Sequence, residues 1–211
     1  MAYSTAGVLP VEELDPGTSL LVSGPPLTRK RELMIRLLGG DPGENVAMVT
    51  TKMGAGNLLE LFHEWNGGRP SGRLNVVDCV TRERGLGTVR ETDTTSYVSS
   101  PRDMTGLSIE LSGLFKRVHA ADRPIRFGLH SLSTFLMYHD LQRVYRMLHV
   151  LSGQIESIGG IGVFVVDSPT ERERDILSQL IDGIVETRES ETGCELRLRG
   201  LGGRGAGWRT Y

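Results

Sequence analysis

Hydrophobic residues follow two alternating periodicities along the chain. Short and almost uninterrupted apolar segments such as "SLLVSG", "NVAMVT" and "GIGVFVVD" predict buried β-strands. Between them, segments such as "TRKRELMIRLL" and "AGNLLELFHEW" place apolar residues at the spacing of an amphipathic helix. Strands joined by helices in this way are typical of parallel sheets covered on both faces. We therefore predict the α/β fold class, with a mostly parallel central sheet and ligands at the carboxyl ends of its strands.

The remaining segments extend this prediction. "FLMYHDLQRVYRMLHVLSGQI" predicts one long amphipathic helix, and "GIVETRE" with "CELRLRG" predicts a closing antiparallel hairpin. The polar residues 81–101 are predicted to form a long surface loop, with a short strand at "TSYV". We expect an N-terminal lead-in segment over 1–16, one domain over 17–200, and a flexible Gly/Arg tail over 201–211.

Composition narrows the classes of function. The 211 residues include 24 Lys and Arg against 26 Asp and Glu, so the overall charge favours neither nucleic acid nor an acidic partner. Cys79 and Cys194 form no CxxC motif, and we expect buried thiols in a reducing compartment. The five histidines form no H-E-x-x-H motif and no Cys/His cluster, so no metal site is predicted. Without a signal-peptide pattern or a long apolar segment, a cytoplasmic protein that does not bind membranes is expected.

The segment "GPPLTRKR", residues 24–31, lies where a phosphate-binding loop would have G-x-x-x-x-G-K-[ST] between a strand and a helix. Gly24 and Lys30 match this motif, whereas Arg29 replaces the second glycine and Arg31 replaces the hydroxyl that holds Mg²⁺. If Arg29 adopts a glycine-type backbone angle, it incurs a steric penalty; otherwise the loop opens and its N–H groups diverge. An ordinary strand, turn and helix is the alternative interpretation. The vestigial nucleotide-binding positions are Gly24, Pro25, Pro26, Thr28, Arg29, Lys30 and Arg31.

The order of the segments resembles the KaiC-type branch of the RecA-like P-loop ATPases, in particular its diverged archaeal members. "VEELDPGTSLLVSGPPLTRK" is similar to the start of that domain and its phosphate loop. "YVSSPRDMTGLSIELSGL" resembles the family's "sPrDLT" segment, and "IRFGLHSLSTFLMY" resembles the strand that normally ends in "DSLS". "IGVFVVDSPTERERDILSQLIDGIVE" resembles the strand, helix and strand that follow. The resemblance covers nearly the whole chain and implies a single RecA-like domain.

The same resemblance exposes two further departures from an active ATPase. In the family, an acidic residue after the second strand activates water, and this chain has Thr51 and Lys52 there. The Walker B strand normally ends in an Asp that orders the Mg²⁺ shell, and here that position is His130. The loop, the base and the metal anchor are three parts of one reaction. Their joint loss argues against activity, so we predict no catalytic residue.

Asp167 also ends an apolar strand, "GVFVVD", and by pattern alone it fits Walker B better than His130 does. The family's chain order instead implies that Asp167 ends the strand whose last residue senses the γ-phosphate, beside the phosphate loop. There it could pair with Lys30 or Arg29 and turn the old site into an internal ion pair. A metal role for Asp167 is the alternative.

Three hypotheses about function follow. The first is a non-catalytic regulatory or scaffolding domain that assembles with itself or with another protein, and that holds ATP or ADP only weakly, without well-held magnesium. The second is a slow ATPase or kinase of the KaiC type that uses Asp167 and an arginine of a neighbouring subunit. The third is a nucleic-acid-associated module that uses the loop arginines and the basic tail. The tail's candidate residues are Arg197, Arg199, Arg204 and Arg209.

Overall fold

The computed structural model describes residues 2–41, 43–67, 73–85, 89, 91–120, 123–191, 193–201 and 207–211. Within these ranges the strands are β1 (Tyr3–Ser4), β2 (Glu13–Leu14), β3 (Ser19–Gly24), β4 (Asn45–Thr50), β5 (Leu74–Asp78), β6 (Thr95–Tyr97), β7 (Ile125–His130), β8 (Ile161–Asp167), β9 (Gly183–Ser190), β10 (Gly193–Gly200) and β11 (Arg209–Thr210). β1 and β2 form a small antiparallel pair, and the others form one sheet in the order β11–β10–β9–β3–β8–β7–β4–β5–β6. Pairing is parallel from β9 to β6 and antiparallel among β9, β10 and β11, which confirms the predicted fold class and its closing hairpin.

Helices cover both faces of this sheet. Over the described residues they are α1 (Lys30–Leu37), α2 (Ala55–Trp65), α3 (Thr81–Arg84), α4 (Met104–Ala120), α5 (Leu132–Tyr138), α6 (Leu141–Ser157) and α7 (Glu171–Ser178). Alternate residues of the central strand β8 point to opposite faces, so that Phe164 joins the core under α4 and α6 while Val163 joins the core under α1 and α2. Since both faces are covered, nearly every residue of the strand is apolar.

The long helix predicted over "FLMYHDLQRVYRMLHVLSGQI" is wrong, because α5 and α6 are separate helices. Asp140 begins the second one, and its carboxylate accepts a hydrogen bond of 2.8 Å from the backbone N–H of Arg143. A side-chain cap of this kind satisfies an N–H group that a continuous helix would pair internally. His139 therefore lies between helices, with its Nε2 3.2 Å from the carbonyl oxygen of Pro101.

The two segments predicted to be irregular contain regular structure. In 81–101, the expected short strand is β6, which pairs with β5, and α3 precedes it; positions 86–88 and 90 lie outside the described residues. The prediction of a flexible tail does not hold for residues 207–211, since β11 pairs with β10. The Trp208 ring contacts two guanidinium groups: the Cζ atoms of Arg188 and Arg197 lie 4.1 and 4.7 Å from its centroid. Residues 202–206, which include Arg204 and most of "GLGGRG", are outside the described ranges.

A buried ion pair fixes the amino-terminal side of the sheet. Arg126 in β7 is 1% exposed, and its Nε lies 2.5 Å from the Glu44 carboxylate. Its Nη1 donates hydrogen bonds to the carbonyl oxygens of Ser4, at 2.9 Å, and Leu37, at 2.8 Å. This guanidinium thus joins β1, the end of α1 and β7. Because it lies opposite the carboxyl ends of the strands, its role is structural.

We predict that Arg126→Met lowers the free energy of unfolding by about 3 to 5 kcal/mol, because it leaves the Glu44 carboxylate buried without a partner. Urea unfolding followed by circular dichroism measures the change. The double variant Glu44→Leu with Arg126→Met should recover part of the loss, since it removes the unpaired charge as well. A loss below about 1 kcal/mol for the single variant would contradict this account.

Candidate functional site at the carboxyl edge of the sheet

Four neighbouring strands bring the sequence-predicted positions together at one edge of the sheet. Strand register places Gly24, at the end of β3, opposite Asp167, at the end of β8. β7 lies next to β8 and ends at His130, which is opposite Thr50 of β4. Thr51 and Lys52 follow directly after β4. The predicted phosphate, base and metal positions therefore lie together at one edge of the sheet, as expected for carboxyl ends of parallel strands.

Asp167 pairs with two lysines in this site. Its Oδ1 lies 2.9 Å from Lys30 Nζ, and its Oδ2 forms a second ion pair with Lys52 Nζ. Burial alone would raise the pKa of Asp167, but hydrogen bonds from Lys52 and Lys30 outweigh it and hold this pKa below its usual range. Of the two partners considered from the sequence, Lys30 makes the contact. The Lys52 contact was missed, although a lysine at the position of a catalytic acid was a signal for it.

The ammonium group of Lys30 is fully hydrogen-bonded within the protein. Besides the ion pair, it donates hydrogen bonds to the carbonyl oxygen of Pro25 and, at 3.2 Å, to Oγ1 of Thr28. The Lys30 side chain is only 3% exposed. Since an ammonium has three hydrogens, each of them already has an acceptor.

The loop over residues 24–31 has a curled backbone with two strained positions. Arg29 has φ 50° and Leu27 has φ 67°, both in the left-handed region that favours glycine. Each such residue costs about 1 to 2 kcal/mol relative to a right-handed conformation. Of the two outcomes that the sequence left open, Arg29 takes the strained one, and the loop does not open. Pro25, Pro26 and Leu27 are exposed on its outer side.

Gly24 is required by packing. A Cβ atom added there would lie 2.2 Å from Oγ1 of Thr187 and 2.4 Å from its carbonyl oxygen. Thr28 contacts the same residue, with 2.6 Å between the two hydroxyl oxygens. The close approach of β9 therefore requires a glycine at position 24 by itself, and Thr28 adds a contact to the same strand.

The side chains at the predicted base and metal positions make different contacts. Thr51 Oγ1 accepts a hydrogen bond of 2.8 Å from the N–H of Ser131 and donates to Oγ1 of Thr134 at 2.9 Å, so it joins β4 to the start of α5. His130 is 7% exposed, and among the described residues its Nδ1 has no hydrogen-bond partner. Burial, followed by the charge of Lys52, lowers the pKa of His130 to about 4. Its imidazole is therefore neutral at pH 7.

Residues near the end of the sequence also contact the loop, and no pattern in the sequence predicts this contact. The hydroxyl of Tyr211 donates a hydrogen bond to the carbonyl oxygen of Thr28, and its backbone N–H donates to the carbonyl oxygen of Cys194 at 3.1 Å. Burial raises the pKa of Tyr211 above its usual range. Both cysteines are buried and free, and Cys194 Sγ lies 4.0 Å from the carbonyl oxygen of Leu27.

The arginines of the closing hairpin are paired. Arg197 Nε lies 2.8 Å from the Glu186 carboxylate, and Arg199 Nη1 lies 3.2 Å from it. Burial alone would raise the pKa of Glu186, but hydrogen bonds from both arginines hold it below its usual range. Arg188 pairs with Glu195 at 2.8 Å. These contacts neutralise much of the charge that a nucleic-acid interface would use.

No group of three or more His, Cys, Asp or Glu side chains in the described ranges has a geometry that could hold a metal ion. No described helix combines the length and the apolar character needed to cross a membrane.

The chain is similar to one family of proteins in sequence and to a KaiC-like protein in structure. A family profile, described as a family of unknown function (DUF7504), matches residues 17–187. The chain belongs to that family. No curated protein matches the sequence. The crystal structure of a KaiC-like protein from the hyperthermophilic archaeon Pyrococcus horikoshii OT3 superimposes with a TM-score of 0.55 at 14% identity, over 93% of this chain and 82% of that one. At this identity the similarity establishes the RecA-like fold alone.

We predict that His130 makes the protein less stable as the pH falls from about 6.5 to 4. The unfolded state binds the proton with an ordinary pKa, whereas the folded state resists it down to about pH 4, so the unfolded state binds more protons in this window. The free energy of unfolding should fall by about 3 kcal/mol across it. Urea unfolding of the wild type and of His130→Gln, repeated at several pH values, measures the difference.

The control for this experiment is His119→Gln, which removes an exposed histidine at the end of α4. It should retain the full pH dependence of the wild type. If His130→Gln also retains it, the imidazole is not responsible.

Proposed function

We propose that this chain is a non-catalytic RecA-like domain in which an internal ion-pair network replaces the bound nucleotide, and that it acts by assembling with protein partners in a regulatory or scaffolding role. The network consists of Lys30, Asp167 and Lys52. The double pairing of Asp167 is the single observation that carries the proposal.

The network opposes phosphate binding in two ways. An entering phosphate would compete with Asp167 for the ammonium of Lys30, which already lies 2.9 Å from the carboxylate. It would also bring its own negative charge close to that carboxylate. Two like charges about 4 Å apart repel by about 4 kcal/mol near a protein surface. This repulsion offsets much of what the curled loop backbone offers an anion.

The groups around the network also support a non-catalytic role. Lys52, at the position of the base, donates to Asp167 and has no free electron pair with which to accept a proton from water. His130 is neutral and buried at the Walker B position, where a carboxylate would order hydrated Mg²⁺. Arg31 replaces the Ser or Thr whose hydroxyl would bind Mg²⁺. At these three positions the chain therefore has neither a carboxylate base that could activate water nor the oxygen ligands that Mg²⁺ prefers.

A protein partner is favoured over nucleic acid by the distribution of charge. The arginines of the hairpin are paired with Glu186 and Glu195. The net charge of the whole chain is −2, which gives no long-range attraction to phosphate backbones.

We predict that calorimetric titration with ATP and with ADP, each with and without Mg²⁺, gives no saturable heat up to millimolar nucleotide, and that the same samples release no phosphate. The occupied Lys30 and the carboxylate beside it are the reason. Tight, magnesium-dependent binding would overturn the proposal. Turnover that disappears in Lys30→Ala would establish the slow ATPase or kinase instead.

We further predict that Asp167→Asn increases the affinity for ATP without Mg²⁺ by at least about tenfold, because it frees two ammonium groups and removes the repelling charge. The gain should shrink as salt is added. The matched control is Glu64→Gln, which makes the same change of charge at an exposed position of α2. If Asp167→Asn and the control bind ATP equally, the ion-pair network is not what prevents binding.

A further inference from the structure

A groove of about 410 Å³ separates α4 from α6 on the face opposite α1 and α2. Its described lining comes from facing sides of α4 and α6 and includes Met104, Thr105, Leu111, Met147, Val150 and Gln154. Its volume lies within the range of about 300 to 1,000 Å³ found for clefts that bind ligands. None of the contacts of the ion-pair network involves this surface.

The interior of the groove is apolar. Its floor is formed by Met104, Leu111 and Leu151, which belong to the core beneath it. On the α4 wall, Ser108 and Ser112 donate their hydroxyl hydrogens to carbonyl oxygens one turn earlier in the same helix, at 2.7 and 2.8 Å. These hydroxyls are therefore not free donors for a polar ligand. The small serine side chains leave the space that the groove occupies.

Large apolar side chains extend from the rim into solvent. Val150 of α6 is 55% exposed and lines the groove. Ile109 of α4 is 65% exposed and follows Thr105 by one helical turn, so it adjoins the same rim. An apolar floor with exposed aliphatic residues on both rims is typical of a protein-binding surface.

The rim also carries cations that lack intramolecular partners. Arg143 and Arg146 are exposed on α6, and in the described part of the chain no carboxylate lies within 4.0 Å of either guanidinium. None of the described residues lining the groove is acidic. The hairpin arginines, in contrast, are each paired with a glutamate. The groove therefore complements a ligand that is apolar along one line and negatively charged beside it.

We propose that this groove binds an acidic amphipathic helix of a partner protein, with the apolar face of that helix between α4 and α6 and its carboxylates against Arg143 and Arg146. Docking of a helix into a groove between helices uses apolar residues spaced three and four positions apart. The proposal rests on the assembly role proposed above and names the class of partner. It uses neither the loop nor Asp167, so the nucleotide experiments can fail without affecting it, and the reverse also holds.

Two other occupants fit the surface less well. In a symmetric dimer of this chain, the same arginines of both copies would face each other, and like charges at an interface are unfavourable. An anionic lipid bilayer would match the charge, but its surface is flat, whereas this site is concave. A convex helix of opposite charge satisfies both the shape and the charge.

The test is a phage-displayed library of helical peptides of about 18 residues, roughly five turns, selected on the 211-residue protein. We expect selected peptides to have Leu, Ile, Phe or Met at helical spacing, flanked by Asp and Glu. Fluorescence anisotropy of the labelled peptides should show at least tenfold weaker binding to Arg143→Glu with Arg146→Glu and to Val150→Asp. Versions with Lys in place of Glu should prefer the charge-reversed protein.

The matched control is Arg117→Glu with Arg123→Glu, which makes the same change of charge at exposed positions outside the groove. It should bind the acidic peptides as the wild type does, and circular dichroism should show all variants folded. The proposal is overturned if no peptide is enriched, if the enriched peptides are neutral or basic, or if the control loses binding equally. Groove-dependent flotation with vesicles of phosphatidylserine and phosphatidylcholine in equal parts, or a dimer that Val150→Asp dissociates, would also overturn it.

Discussion

The carboxylate of Asp167 holds the carboxyl edge of the sheet together. It joins Lys30, the first residue of α1, to Lys52, which follows β4. β7 lies between β4 and the strand that carries Asp167, so the contact with Lys52 crosses the end of β7. Lys30 is almost completely buried, so without this carboxylate it would be an uncompensated internal charge, which costs several kcal/mol. The same ammonium is bonded to the carbonyl oxygen of Pro25 and to Thr28. These contacts offset part of the backbone strain at Arg29.

The fold was predictable from the sequence because its strands are nearly continuous apolar segments whose burial on both faces leaves few alternatives. The break at Asp140 was not, since the apolar spacing of α5 and α6 continues across it and only the capping carboxylate marks the boundary. The pairing of β11 with β10 was hidden by a polar, glycine-rich composition. The contact between Lys52 and Asp167 joins residues 115 positions apart, and it exists only because strand order places their ends together.

The loop also shows why a partial motif is weak support for nucleotide binding. Gly24 matches a position where phosphate loops need glycine, yet the approach of Thr187 from β9 imposes the same requirement by itself. Arg29 fails the motif by residue type but retains the backbone conformation that glycine would supply. The residue type at a motif position therefore does not by itself determine the backbone conformation there. The backbone at Arg29 adopts a glycine-type angle, and the neighbouring side chains place the Asp167 carboxylate beside Lys30.

The carboxyl edge of the sheet and the α4–α6 groove differ in whether their cations are paired within the chain. At the edge of the sheet and along the hairpin, Lys30, Lys52, Arg197 and Arg199 each contact a carboxylate of the same chain, which weakens their attraction for an external anion. On α6, Arg143 and Arg146 remain solvated beside an apolar groove. A cation already paired within the chain gains little from an external partner, because the new contact must replace an existing one. Within the described structure, the α4–α6 face is therefore better suited to recognition than the edge where the resemblance to ATPases first directs attention.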